Sequence, residues 1–526
     1  MQFLVSTMLG GVVTYVSRRM RCPRTLAACA ASLLAIPILA ADVPPKPAPP
    51  SEHVQAAQRG LQLTGGLPGA DAPDLQIPPF DPKNPEARNR AIDAFFPPLP
   101  PLPPPIEASF TNEAPPLSAF DAVGAGIVNS PVIRQASGQI RAAYGEAIQM
   151  GMYPNPTLGY EGDTIGTLNT AGYHGPFITQ TIKTGGKLQL ARASFMINVR
   201  NAELSLQKSR IEVATQAFGR YYDLLVAFES VQVTTALAQF TDHAYRLQVE
   251  LLRGGEAAAY EPMQQRAIAM AARAQAIQAR NRYFSALKQL AAAMSVHDLP
   301  PMPLTSDEHA ELPHVEFGQL EMQMLNSHPD LLSARNSVQQ ARLNVRRAEV
   351  VPVPDVLLYS TVQKDYTGPP FGTTVNVQAS IPVPVFDRNR GGITQAQGML
   401  AKAANEEQRV RNQLLTQLAA AFERYENTRA IAAIYRRQIL PDQARAYRGV
   451  YNRYQQEPLQ VNFGDVVVAQ QNYAQATINY FSALTEQWRA TADLLNLIQL
   501  ASLEELAMLV CPPQPAEEIP PAPPRQ

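Results

Sequence analysis

The residues able to do chemistry are few and badly spaced for it. The seven histidines are His53, His174, His243, His297, His309, His314 and His328. A helical zinc site needs donors at i and i+4 so that two imidazoles share one face, and no pair here has that spacing. His297, His309 and His314 share one proline-broken segment and offer at most a weak metal contact. Cys22 and Cys29 fall in an N-terminal leader, which leaves Cys511 alone in the mature chain. No intramolecular disulfide and no multi-cysteine metal site can form there. Gly185-Gly186-Lys187 lacks the Gly-x4-Gly-Lys-Ser/Thr spacing of a phosphate-binding loop. No Ser/His/Asp set and no convergent carboxylate pair suggests catalysis, so the reading is of a protein that is not an enzyme and uses no cofactor. A net charge of −1 excludes nucleic-acid binding driven by bulk charge.

What the chain does carry is punctuation, concentrated in Ile381-Pro382-Val383-Pro384-Val385-Phe386-Asp387-Arg388-Asn389-Arg390-Gly391-Gly392-Ile393. Before it, Val375, Val377, Ala379 and Ile381 alternate with polar residues, the period of a strand with one apolar face. After it, Ala, Gln, Glu, Leu and Arg recur at helical spacing with no proline before Pro441. Proline can neither donate to a sheet nor continue a helix, and glycine accepts dihedrals that other residues avoid. Pro382, Pro384, Asp387, Arg388, Asn389, Gly391 and Gly392 are therefore expected to turn a strand into a very long helix. Arg388 and Arg390 are expected to pair with Asp387 within the turn, the alternative being lipopolysaccharide phosphates.

The N-terminus reads as targeting. Arg18, Arg19, Arg21 and Arg24 precede an apolar run from Leu26 to Ala41, so residues 1–41 are expected to be a signal peptide or leader. Leu26-Ala27-Ala28-Cys29 looks like a lipoprotein box, but it lies before the apolar core instead of after it. Beyond Ala41 the residue run shows no spanning helix. Residues 42–116 are rich in Pro, Ala and Gly, including Pro97-Pro98-Leu99-Pro100-Pro101-Leu102-Pro103-Pro104-Pro105. They are expected to be a disordered or extended tether, dispensable for the fold, as is the tail 509–526.

Between these ends lies a duplication. Tyr283-Phe284-Ser285-Ala286-Leu287 recurs as Tyr480-Phe481-Ser482-Ala483-Leu484, a shift of about 197 residues. Ala217-Phe218 and Arg220-Tyr221 match Ala421-Phe422 and Arg424-Tyr425. Thr184-Gly185-Gly186-Lys187 stands where the second copy has Asn389 to Gly392. The copies are assigned to residues 117–315 and 316–508. Each is expected to run helix (about 121–152 and 317–349), strand, loop, strand, then a very long helix (about 187–252 and 393–456) and a helix back. Roughly 65 helical residues span on the order of 100 Å. The long helices break at Arg253-Gly254-Gly255-Glu256 and at Glu457-Pro458. Leu204, Ile211, Ala214, Phe218, Tyr221 and Leu225 step by threes, fours and sevens, as in a coiled-coil seam.

The expected strands are about 157–163, 176–182, 355–364 and 373–383, and the loop before the second holds His174. Four strands cannot close a barrel, and an open edge in a bilayer leaves costly unpaired backbone groups. Three chains would supply twelve strands, an even number within the range of outer-membrane barrels.

The duplicated plan, the two Tyr-Phe-Ser-Ala-Leu copies and Gly464-Asp465-Val466-Val467-Val468-Ala469-Gln470-Gln471 resemble the TolC family of outer-membrane efflux proteins. The Ile381–Ile393 run is most similar to its heavy-metal, cobalt–zinc–cadmium type branch. The resemblance implies a mainly α fold with a small β part: a long α-helical coiled-coil barrel crossing the periplasm, joined to a trimeric 12-stranded β-barrel in outer-membrane lipid. It implies a passive exit duct, for metal cations in that branch, working with a periplasmic adaptor and an inner-membrane pump. A type I-like secretion or multidrug duct and a non-conducting coiled-coil spacer are the other readings. The tips, with Gly254, Gly255, Glu256, Pro458 and Gly464, would touch the adaptor. Asp465, and with less weight its counterpart Glu261, would ring the pore. Val468 stands where some members carry a second carboxylate, and Asp465 could equally serve its helix start by complementing the macrodipole.

Overall fold

Apolar side chains every three or four residues make most of the chain helical, and period-2 runs bounded by Gly and Pro make four strands. The computed structural model describes residues 72–510 apart from residues 74, 81–84, 111–114, 306–311, 457–460 and 462. The expected leader, Cys511, Pro458, His53 and His309 lie outside the described residues. A short helix α1 (Pro85–Phe95) and a 3-10 turn (Ile106–Ser109) precede the first copy. That copy holds α2 (Ala119–Asn129), α3 (Pro131–Gln149), β1 (Thr157–Asp163), β2 (Tyr173–Ile182), α4 (Lys187–Gly254) and α5 (Tyr260–Ala293). The second holds α6 (Phe317–Ser327), α7 (Pro329–Val350), β3 (Val356–Asp365), β4 (Thr373–Ser380), α8 (Arg390–Ile434), α9 (Leu440–Gln456) and α10 (Phe463–Ile498), followed by α11 (Leu503–Val510).

The first helix of each copy, expected to be continuous, is two helices. Both breaks fall at a proline, Ser130-Pro131 and His328-Pro329, because proline suits the first helical position and cannot continue the preceding helix. Ser130 caps α3 by accepting from the Ile133 amide, and His328 Nδ1 accepts from the Asp330 amide at 3.2 Å. Burial pushes the His328 pKa down, and nearby Lys208 adds to this against Asp330. The ring therefore stays neutral and able to accept. The second long helix is also interrupted: residues Tyr435–Ile439 form a π segment just before Pro441, where the missing proline amide breaks the i→i−4 ladder.

The duplication is visible in the packing. Tyr221 and Tyr425 are both buried, and their hydroxyls donate to the Leu117 and Pro313 carbonyls at 2.9 and 2.7 Å. Arg220 donates to Gln289 and Arg424 to Glu486, again equivalent positions. Burial pushes the Tyr283 hydroxyl up to about 12, with Glu107 adding to it, and burial raises Tyr425 as well. Trp488 joins the copies: its ring stacks on Tyr222 at 3.6 Å and meets Phe218 edge-on at 6.0 Å. Beside it Arg489 donates to Asp223 at 2.9 Å, and Arg220 reaches the same carboxylate.

One stretch of α4 is apolar and long enough to cross a membrane by composition alone. Only 39% of that stretch is buried inside the chain; elsewhere along α4, Val213, Ala214, Ala217, Phe218 and Tyr221 are buried against the rest of the chain. Part of the expected tether is also built in. Residues 85–110 lie along α4 and α5, with Ile92, Phe96 and Ile106 buried, so this stretch is extended but not free. Its prolines stiffen it while the apolar residues between them anchor it.

Trp488→Ala removes the largest fully buried side chain and both aromatic contacts; it is expected to cost about 3–5 kcal/mol. Thermal unfolding in detergent checks this, and a loss below about 1 kcal/mol would show that the copies are not joined here.

Candidate functional site

The four strands form one antiparallel sheet in the order β1-β2-β3-β4. The register pairs Leu158 with Ile178, Ile178 with Ser360 and Ser360 with Val377, so these share one face. That face also carries Tyr160, Leu358, Val362 and Val375, all exposed. The opposite face is mostly polar, with Glu161, Thr179, Tyr359, Thr361, Asn376 and Gln378 beside Phe177 and Leu357; the Tyr359 hydroxyl donates to Glu161 and its ring stacks on Phe177. In this single chain β1 and β4 each have one neighbour, so each leaves one edge open. His174 lies in strand β2 and not in a loop; its ring stacks on Tyr160 and meets Tyr366. β2 starts earlier than its alternation suggests because residues 173–175 pair with β1.

Each hairpin hands over to its long helix through a left-handed turn. In the second copy Asn389 has φ 52°, and its side-chain amide donates to the Ala348 carbonyl at the end of α7, at 2.8 Å. Asp387 accepts from the Asn389 backbone amide at 2.8 Å. The expected pairing of Asp387 with Arg388 or Arg390 does not occur, because the carboxylate serves the turn's own backbone, as Asp does in an Asx turn. A Cβ on Gly392 would lie 2.3 Å from the Asn389 side-chain oxygen, so glycine there leaves room for that amide; Gly391 meets nothing. Pro382 and Arg388 are exposed, Pro384 is half-buried, and Phe386 is fully exposed. In the first copy Gly185 (φ 63°) and Gly186 (φ 70°) make the turn. There Lys183 and Lys187 grip Asp355 at 2.8 Å each, and the Thr184 amide donates to it at 3.2 Å. Burial acts to raise the Asp355 pKa, but the two ammonium groups and the amide outweigh it and bring it to about 2. Sequence reasoning missed this triad, since its partners lie some 170 residues apart and only the sheet brings them together.

At the other end of the long helices lie the two tips. Gly255 (φ 80°) ends α4: its amide donates to Leu252 and the Glu256 amide to Leu251, a Schellman closure. Gly254 closes α4 and is exposed, as is Glu256. Glu261 sits in the first turn of α5 and accepts from the Ala258 amide, a capping role. Gly464 and Asp465 lie exposed in the first turn of α10, and Val468 is exposed one turn on. The tips approach each other: the charges of Glu261 and Glu256 add to burial in raising the pKa of Tyr454 from α9, and Tyr454 meets Phe463 edge-on at 5.8 Å. Among the described residues no group of three His, Cys, Asp or Glu side chains is placed to hold a metal ion.

No family model matches the chain. It is 23% identical over 369 residues, 69% of this chain and 85% of the relative, to the cobalt-zinc-cadmium resistance protein CzcC of Cupriavidus metallidurans. Among solved structures, CusC, described as forming a transmembrane channel, matches with a TM-score of 0.61 at 14% identity, over 76% of this chain and 98% of that one. The outer membrane protein VceC of Vibrio cholerae matches with a TM-score of 0.59 at 18% identity, over 72% and 96%. The outer membrane channel CmeC of Campylobacter jejuni also matches at 0.59, with 15% identity over 72% and 85%. The fold is that of these channel proteins: mainly α, with a small antiparallel sheet at one end of very long helices.

The folded pKa of Asp355 lies below its unfolded value, so its contribution is complete above about pH 4 and is lost as pH falls toward 2. Asp355→Asn is expected to cost about 1–2 kcal/mol at pH 7 and nothing near pH 2. Unfolding of both proteins across that range checks it; an equal deficit at both ends would remove the ion triad as the cause.

Proposed function

We propose that the protein is the outer-membrane exit duct of a tripartite efflux system, conducting metal cations passively from an inner-membrane pump and a periplasmic adaptor to the exterior. The observation that carries this reading is the four-stranded sheet, with one exposed apolar face, one polar face and two open edges. A wall of that kind is stable in lipid when its edges pair with other copies, its apolar face meets hydrocarbon and its polar face lines water. Three copies give twelve strands. The exposed Val383, Val385 and Phe386 then lie at the foot of the barrel, where apolar side chains meet the membrane interface.

The helices continue the duct through the periplasm, and the tips form its entrance and the adaptor's contact. Asp465 is exposed where Glu261 is half-buried, so Asp465 is the better placed of the two carboxylates for the pore. Three copies of Asp465 around an axis favour cations by focusing negative potential in a narrow aperture. Metal cations as cargo rest on the likeness to the cobalt-zinc-cadmium resistance protein and on the Ile381–Ile393 turn. Energy comes from the pump, since the chain offers no nucleotide-binding loop.

Light scattering in detergent is expected to give three copies per particle, and planar bilayers to show cation-preferring conductance that Asp465→Asn reduces. A monomer, or a trimer without conductance, would leave only a spacer. A deletion strain is expected to become sensitive to zinc, cobalt or cadmium; sensitivity to lipophilic dyes alone would reassign the cargo.

A further inference from the structure

A duct has no evident use for the proline-rich stretch before the first copy, yet residues 85–110 occupy a built groove on α4 and α5. Seven of the nine residues from Pro97 to Pro105 are proline. Each proline fixes φ near −65° and forces the residue before it to be extended, which gives a polyproline II helix of three residues per turn. Burial follows that period: Phe96 is buried and Leu99 and Leu102 are half-buried, while the prolines between them are exposed. Leu102 rests on Ala238, Ala272 and Ala276, three buried alanines that leave a shallow trough.

Prolines have no amide hydrogen, so such a segment can be recognised only through its carbonyls and its apolar edge. The groove supplies both. Arg266, Arg273 and Arg280, seven residues apart on α5, donate to the carbonyls of Phe95, Pro100 and Pro104 at 3.1, 2.5 and 2.6 Å. Tyr245 on α4 donates to the Pro97 carbonyl at 3.2 Å. Seven helical residues rise about 10 Å and four polyproline residues about 12 Å, so ladder and ligand keep step from Arg273 to Arg280. Arg273 is held ready by Asp242, which accepts two bonds from it at 3.0 and 2.5 Å.

At the tip the stretch becomes a clasp. Arg88 donates to the Leu252 carbonyl at 2.9 Å, beside the Gly255 amide that also reaches it, in the last turn of a 68-residue helix where a cation suits the dipole. Asp93 pairs with Arg253, and the Phe80 ring lies against Gly255. The seam here needs the help: the side-chain amides of Gln248 and Gln265 are buried with no hydrogen-bond partner among the described residues, which weakens helix pairing at the tip.

We propose that the α4/α5 groove is a polyproline-binding site whose resident ligand is the chain's own residues 85–110, and that this ligand fastens the tip of the first hairpin. The inference does not depend on conduction. Hydrogen exchange of the full chain in detergent tests it with two variants, Arg266→Gln/Arg273→Gln/Arg280→Gln in the groove and Leu99→Asp/Leu102→Asp in the ligand. Both are expected to speed exchange over residues 241–265 roughly tenfold and to leave residues 410–430 unchanged. The second variant changes no helical residue, so it answers even where the first fails to fold. Adding a synthetic peptide of residues 77–110, which carries Phe80, Arg88 and Asp93, to protein lacking that stretch is expected to restore slow exchange at the tip, and to do nothing when Arg273→Gln is also present. Tip exchange unchanged in the Leu99→Asp/Leu102→Asp protein, or a peptide without effect on the shortened one, overturns the proposal.

Discussion

An unpaired row of backbone N–H and C=O groups along β1, and another along β4, is the constraint that organises the molecule. Each such group costs several kcal/mol in hydrocarbon, far more than any side chain on these short strands can return. In the duct proposed here, partner copies remove that cost, and the rest of the fold holds the sheet in a geometry that lets them. The left-handed turns at Gly185-Gly186 and Asn389 set the direction in which each long helix leaves the sheet, and the Lys183–Asp355–Lys187 triad fixes one junction against the other. A loose junction would let the open edges wander out of register with their neighbours.

Midway along the helices the demand is different. Two copies of one motif must act as one body, and equivalent tyrosines alone would give two separate cores. Trp488 and Arg489, for which the first copy has no equivalent side chains, reach across to Tyr222 and Asp223. The bonds of Tyr221 and Tyr425 to connecting segments tie the interruptions to the same core, so the proline-broken linkers are part of the fold. Toward the tips this apolar support thins, and polar contacts take over: capping bonds, Glu256 and Glu261 beside Tyr454, and the arginine ladder under residues 95–104.

The sequence by itself determined the order of the long helices and the four strands, the duplication and the open four-stranded sheet, but not the helix at Pro85–Phe95, the breaks at Pro131 and Pro329 or the early start of β2. What it determined follows from local rules: apolar spacing, proline without an amide hydrogen, glycine at positive φ. The leucines set three apart among the prolines at Leu99 and Leu102 were also legible as one edge of a polyproline helix, but the composition of residues 42–116 hid them. Tertiary structure alone decided which polar groups would meet. Asp387 turned to the Asn389 amide instead of a neighbouring arginine, Asp355 found lysines from the other copy, and Arg266, Arg273 and Arg280 found carbonyls some 170 residues away. Such pairings depend on where the chain crosses itself in space, and periodicity along the chain carries no information about that.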